Sequence, residues 1–161
     1  MSKLLILYHS RTGGTRQMAE AAFAAAQEEA DAVLMRAEDA MPEDLLAADG
    51  YLFAGPENLA ALSGAMKDFF DRCYYPVLGQ IEGRPYALMI CAGSDGEGAA
   101  RQAARIAKGW RLRDVQPPLI VNTSAQTPEE ILAEKTIPES KLEKCRELGA
   151  ALGAGIKMGV F

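Results

Sequence analysis

The hydroxyl side chains of Ser10, Thr12 and Thr15 are spaced around Gly13 and Gly14, with Arg11 between the first two. This run lies between an apolar segment, Lys3 to Tyr8, and a helix-patterned segment that opens near Arg16. A strand, a tight loop and a helix start therefore follow one another. Backbone N–H groups freed by the two glycines converge with the hydroxyls where a helix N-terminus carries partial positive charge. A phosphate group fits such a cradle. Arg11 is the one cation within the loop, so the chemistry predicted is anion binding by largely neutral donors. The spacing is neither a P-loop, which needs Gly-Lys-Ser/Thr, nor the three-glycine dinucleotide fingerprint.

Two further loops end apolar strands in the same way. Tyr51 to Ala54 runs into Gly55-Pro56-Glu57-Asn58-Leu59, and Pro85 to Cys91 runs into Ala92-Gly93-Ser94-Asp95-Gly96-Glu97-Gly98. Glycine and proline stand where backbone must turn or approach a ligand closely. The clearest helix follows the second loop, with Leu62, Met66, Phe69, Phe70 and Cys73 on one stripe. Met18, Ala19, Ala22, Phe23 and Ala26 form an earlier stripe, and a further helix follows the third loop to about Lys108.

The remaining segments complete an alternating pattern. Ala32 to Met35 reads as a second strand, and Pro42 opens a brief helix that ends near Ala48. Pro117-Pro118 introduces a fifth strand, Leu119 to Asn122. Thr127-Pro128-Glu129-Glu130 is a capping box for a helix that Pro138 interrupts. Ser140 with Glu143 reads as the cap of the last helix, in which Gly149 and Gly153 allow close approach to the sheet. The tail from Gly153 to Phe161 reads as a frayed end. The expected fold is an α/β doubly wound sheet of five parallel strands, order 2-1-3-4-5, with helices on both faces in a single domain, 1–161. In such a sheet the ligand lies outside the carboxyl ends of the strands, where the Ser10, Gly55 and Ala92 loops meet.

Composition narrows the partners. At 161 residues and 49 % hydrophobic the chain is long enough for one sizeable core. A formal charge of −5 argues against a nucleic-acid surface and against an electrostatic membrane anchor. Met1-Ser2-Lys3 runs directly into the first strand, so no secretory signal is expected, and no window reaches transmembrane length without charges or glycines. Cys73, Cys91 and Cys145 are widely separated and read as free thiols of a reducing cytoplasm. Neither a metal-ligand spacing nor a nucleophilic triad is present, which leaves the chemistry to a cofactor.

The Ser10 to Thr15 run is similar to the Thr/Ser-x-Thr-Gly-x-Thr phosphate loop of flavodoxin-type proteins. With the Gly55-Pro56 loop and the helix Gly64-Ala65-Met66-Lys67-Asp68-Phe69-Phe70-Asp71-Arg72, the chain resembles the flavodoxin-like NAD(P)H-dependent FMN oxidoreductases. The quinone-reductase branch, once called tryptophan-repressor-binding proteins, is the nearest. The resemblance implies FMN, its phosphate held by Ser10, Arg11, Thr12, Gly13, Gly14 and Thr15. Pro56, Glu57, Asn58 and Leu59 would line one side of the ring, and Ala92, Gly93, Ser94, Asp95 and Gly98 the other.

Neither ring loop carries an aromatic residue, so the flavin face is expected to be open to a nicotinamide from NADH or NADPH and then to a quinone or similar acceptor. The relatives also imply a homo-oligomer, dimer or tetramer. Trp110, Tyr74 and Tyr75 fall at the opposite edge of the sheet and could reach a flavin only from a neighbouring subunit. A flavodoxin-type electron-transfer protein and a non-enzymatic binding module of the same fold are the competing readings.

Several residues carry two readings at this point. Glu57 is a solvated loop-tip carboxylate or a negative charge beside the ring. His9 is a structural strand-end histidine or a proton donor to a reduced quinone. Ser94 and Glu97 form a capping box. Arg101, Arg105 and Lys108 are a solvated helix face or an attractor for the adenylate phosphates of NADPH.

Overall fold

The computed structural model describes residues 2–161. Its parallel sheet is built on β1 (Lys3–Tyr8), β2 (Asp31–Arg36), β3 (Gly50–Asn58) and β5 (Pro85–Ala92). Hydrogen bonding orders these strands β2-β1-β3-β5, with Leu4 opposite both Ala32 and Gly50, and Pro56 opposite Cys91. All four run the same way, so their carboxyl ends share one edge of the sheet.

Alternate residues of each strand feed separate cores, because successive side chains point to opposite faces. Leu4, Ile6, Leu52 and Met89 pack under α1 (Gly14–Ala26) and α6 (Glu139–Met158). Leu5, Leu7, Phe53 and Ile90 pack under α2 (Pro42–Ala47), α3 (Gly64–Val77) and α4 (Glu97–Gly109). Both faces being covered explains why these strands read as continuous apolar runs. On the second face Phe53, Phe69, Phe70 and Trp110 form one aromatic cluster, with Phe53–Phe70 centroids 5.2 Å apart and Phe70–Trp110 5.5 Å. Trp110 is thus a core residue.

The expected order holds, with the fifth position divided. β6 (Arg113–Asp114) pairs with Pro85 and Tyr86, whereas β7 (Leu119–Asn122) pairs with Met89 to Ala92. Pro117 and Pro118 lie in the gap, and without N–H groups they cannot continue a ladder.

The second loop is also not the loop that Gly55-Pro56 suggested. β3 continues through Asn58 and folds back as β4 (Ala61–Leu62), with Glu57 opposite Leu62 and Asn58 opposite Ala61. Leu62 therefore belongs to this hairpin, and α3 begins two residues later.

The C-terminal third differs in three respects. α5 (Pro128–Leu132) ends well before Pro138, although its Thr127 capping box forms, with the Glu130 N–H donating to Thr127 Oγ1 at 3.2 Å. α6 starts at Glu139 after Pro138 without a side-chain cap, and Glu143 instead pairs with Arg146 at 2.8 Å. The tail is helical to Met158, and the Phe161 ring lies against Gly155.

Gly149 and Gly153 bring α6 close to α1, not to the sheet. A Cβ on Gly149 would run into the Ala22 backbone carbonyl, and one on Gly153 would stand 3.2 Å from that of Ala26. This contact fixes the position of α1 and therefore of the loop before it. Gly149→Ala is expected to cost about 1–3 kcal/mol by overpacking. Gly109→Ala, where a Cβ meets nothing within 4 Å, should be neutral or stabilising by up to about 1 kcal/mol. Urea unfolding midpoints of the two variants check the contrast.

Candidate functional site

Gly13 stands at the N-cap of α1 with φ of 92°, a left-handed conformation that glycine adopts without steric cost. Its N–H donates to Ser10 Oγ at 3.2 Å, closing the loop on itself. No side chain caps α1, so first-turn amides remain for a ligand. Thr15 is buried, and its Oγ1 has no hydrogen-bond partner beyond a weak contact with the Cys91 thiol. Burying a hydroxyl in this state costs about 1–3 kcal/mol. An anion accepting from Thr15 would remove that cost.

Thr15 lines a cavity of about 360 Å³ at the carboxyl edge of the sheet. Ser10, Arg11 and Thr12 line it from the first loop, Pro56 to Ala60 from the hairpin, and Cys91 to Ser94 from the third loop. Gly13 and Gly14 shape the loop without entering this cavity. A Cβ on Gly14 would stand 2.7 Å from Cys91 Sγ, which is why the backbone can lie so close to β5. Asp95 and Gly98 are not among the lining residues. Gly98 is instead required beneath the hairpin tip, where a Cβ would strike the Ala60 carbonyl.

Glu57 joins the second and third loops. Its Oε1 accepts from the Gly96 N–H at 2.8 Å and its Oε2 from the Ala99 N–H at 3.0 Å. The carboxylate thus caps α4, where the helix dipole favours negative charge. This differs from the solvated loop-tip reading of Glu57, and the residue still lines the cavity. The Ser94–Glu97 capping box does not form, since the N-cap is Gly96 with φ of 97° and no side-chain cap. At the hairpin tip Leu59 and Ala60 have φ of 52° and 63°, as a two-residue type I′ turn requires. Non-glycine residues in this region cost about 1–3 kcal/mol each. Leu59 is fully exposed at the cavity mouth.

The largest contribution invisible in the first loop's own sequence is Lys135. The chain between α5 and α6 folds over that loop, with the Lys135 N–H donating to the Thr12 carbonyl at 2.8 Å and Nζ donating to Thr12 Oγ1 at 3.3 Å. Nζ also donates to the carbonyls of Ile131 and Ala133. Gln17 on α1 staples this segment down, donating to the Lys135 carbonyl at 2.7 Å and accepting from the Ile137 N–H at 2.9 Å. Arg11 is therefore not the site's sole cation. Thr123 and Ala125, after β7, add a further wall. That wall was available to the rule that placed the other loops, because β7 ends at the same edge.

His9 lies outside the cavity. Its Nδ1 is 2.8 Å from Ser63 Oγ, and its backbone N–H donates to the Ala54 carbonyl at 3.1 Å. Burial lowers its pKa below the ordinary 6.5, with Arg36 and Arg11 acting in the same direction and Glu38 opposing. Burial also pushes the Cys91 thiol up, against smaller opposing effects of Lys135 and Thr15. Cys91 is thus an uncharged wall of the cavity rather than a nucleophile. Arg101, Arg105 and Lys108 are exposed on α4 and do not line the cavity. Among the described residues no group of His, Cys, Asp and Glu could hold a metal, and no helix is long and apolar enough to cross a membrane.

Comparison with known proteins gives one family match and a wider likeness of fold. The family model described as NADPH-dependent FMN reductase matches residues 38–123, which include the hairpin, α3 and the third loop. A protein named flavodoxin from Aquifex aeolicus is 36 % identical over 100 residues, 61 % of this chain and 54 % of its own length. The chain thus spans about half the length of that relative. An archaeal flavodoxin structure superposes with a TM-score of 0.78 at 18 % identity, covering 96 % of this chain and 99 % of the other. A WrbA-like flavodoxin from Agrobacterium tumefaciens gives 0.70 at 22 % identity, covering 98 % and 99 %. These likenesses show the flavodoxin-like fold.

Two outcomes follow from the geometry. Glu57→Ala should cost about 1–2 kcal/mol, the scale of a lost N-terminal cap, read as a lower urea midpoint. Below pH 6.5 the unfolded chain binds a proton that folded His9 resists, so stability should fall as pH drops from 6.5 toward the lowered folded pKa. Melting temperatures of wild type and His9→Gln between pH 5 and 8 check this, the variant losing that part of the acid sensitivity.

Proposed function

The chain belongs to the NADPH-dependent FMN reductase family, and from that premise we propose that its cavity binds FMN and passes reducing equivalents from NADH or NADPH to a quinone or similar acceptor. The observation that carries this reading is the buried hydroxyl of Thr15, met within the chain only by the Cys91 thiol, at an uncapped helix N-terminus. A structural turn would satisfy or expose that hydroxyl. Bound there, FMN would supply the two-electron chemistry that the polypeptide lacks.

The chain's own residues would have distinct tasks. Ser10, Thr12, Thr15 and the amides of the first loop of α1 would hold the phosphate, with Lys135 and Arg11 offsetting its charge. Pro56 to Leu59 and Ala92 to Ser94 would bound the ring. Glu57, already engaged by two α4 amides, would orient the walls and exert little direct pressure on the ring's charge. No aromatic side chain is among the residues lining the cavity, which supports an uncovered ring face able to receive two substrates in turn. Exposed Tyr75 on α3 is the surface that a second copy of the chain would cover.

The match to a protein named flavodoxin favours a second reading, a one-electron carrier. Steady-state assay with FMN, NADH or NADPH and a benzoquinone separates the two, since a carrier binds FMN and does not turn over. Thr15→Val tests the site itself. It should stabilise the FMN-free protein, because an apolar group of the same shape replaces an unsatisfied buried hydroxyl. It should also lower FMN affinity about tenfold or more, the scale of a lost hydrogen bond to a charged group. A purely structural Thr15 would leave flavin-binding fluorescence titrations unchanged.

A further inference from the structure

A second cleft lies on the other side of the phosphate loop. We propose that it binds the adenosine-phosphate half of a dinucleotide, an inference that rests on FMN occupying the neighbouring cavity. The cleft has a volume of about 580 Å³. Ser10, Arg11 and Thr12 line both, so the phosphate loop is their common wall. A phosphate seated in that loop would stand between the two hollows.

The lining fits the ligand class. Arg11, Arg16 and Arg36 converge there, against the two carboxylates of Glu38 and Glu134. Neither Arg11 nor Arg16 forms an ion pair among the described residues. Arg36 is held only by exposed contacts, to Glu38 at 3.1 Å and Asp39 at 3.8 Å. Exposed pairs of this kind contribute little, so the Arg36 guanidinium exchanges partners readily. Guanidinium forks match phosphate oxygens in a way that a lysine point charge does not. Tyr8 and Leu132 add apolar surface for a flat base. The basic stripe on α4, in contrast, borders neither cavity.

The adenylate could be the electron donor's or could belong to a flavin carrying its own, as in FAD. Calorimetric titration of 2′,5′-ADP, 5′-AMP and inorganic phosphate into wild type, Arg16→Ala, Arg36→Ala and the double variant tests the site, with and without bound FMN. The adenosine phosphates should bind wild type and lose tenfold or more in the double variant, while FMN affinity stays within twofold. If the adenylate is the donor's, NADPH affinity falls in parallel and FAD binds wild type no tighter than FMN. If it is the flavin's, FAD binds wild type tighter than FMN and loses that advantage in the double variant. Equal affinity of wild type and double variant for the adenosine phosphates overturns the proposal, as does inorganic phosphate matching them. Should FMN itself fail to bind, titration of the flavin-free protein still reads the cleft separately.

Discussion

A hydroxyl buried at the start of a helix, met only by a thiol, is the constraint around which this molecule is arranged. Thr15 cannot turn to water, because α6 presses α1 onto the sheet through Gly149 and Gly14 lies against Cys91. Within the chain only the Cys91 thiol meets it, and sulfur is a weak partner. The fold keeps the cradle open and offsets the cost through close packing elsewhere. The apolar strands and the glycine contact between α1 and α6 are therefore conditions for the site as much as for stability.

A second constraint couples the two walls that face this cradle. The Glu57 carboxylate crosses from the hairpin to the first turn of α4, while the Leu62 N–H donates to Gln102 on the same helix at 2.7 Å. Gly98 lets the hairpin tip settle onto that turn. Movement of one wall therefore moves the other, and the gap between them is held by hydrogen bonds and not by side-chain bulk. The left-handed conformations of Leu59 and Ala60 are the local cost of placing an exposed apolar side chain at the mouth.

What could be read from the sequence depended on how local its cause was. The first loop was legible because its hydroxyls, glycines, strand and helix are contiguous, and strand order followed from the alternation of elements. The hairpin was missed because Gly55 and Pro56 signal a turn, whereas Pro56 remains in register with Cys91 and the turn comes at Leu59-Ala60, which carry no turn signal. Glu57 was misread because its partners are amides 39 and 42 residues away. Lys135 lies 123 residues from Thr12 and gave no local sign of its role. The capping pattern at Ser140 misled for a different reason, since Pro138 already terminates the preceding segment and sets the start of α6.

Lys135 also changes how charge is delivered to the cradle. An ammonium has three N–H donors, and here the acceptors are the carbonyls of Ile131 and Ala133 and the Thr12 hydroxyl oxygen. The cation therefore does not need to leave its place to meet an anion. Thr12, having accepted from Lys135, keeps its own hydrogen free to donate, and a hydroxyl polarised by a cation is a stronger donor than one in isolation. The contact to Thr12 is the longest of the three, which makes it the one most easily exchanged for a direct contact with phosphate. For an anion in the cradle, either route would bring positive charge with the lysine already ordered by Gln17 and by the end of α5. The ordering cost is met on folding, and the binding step is spared it.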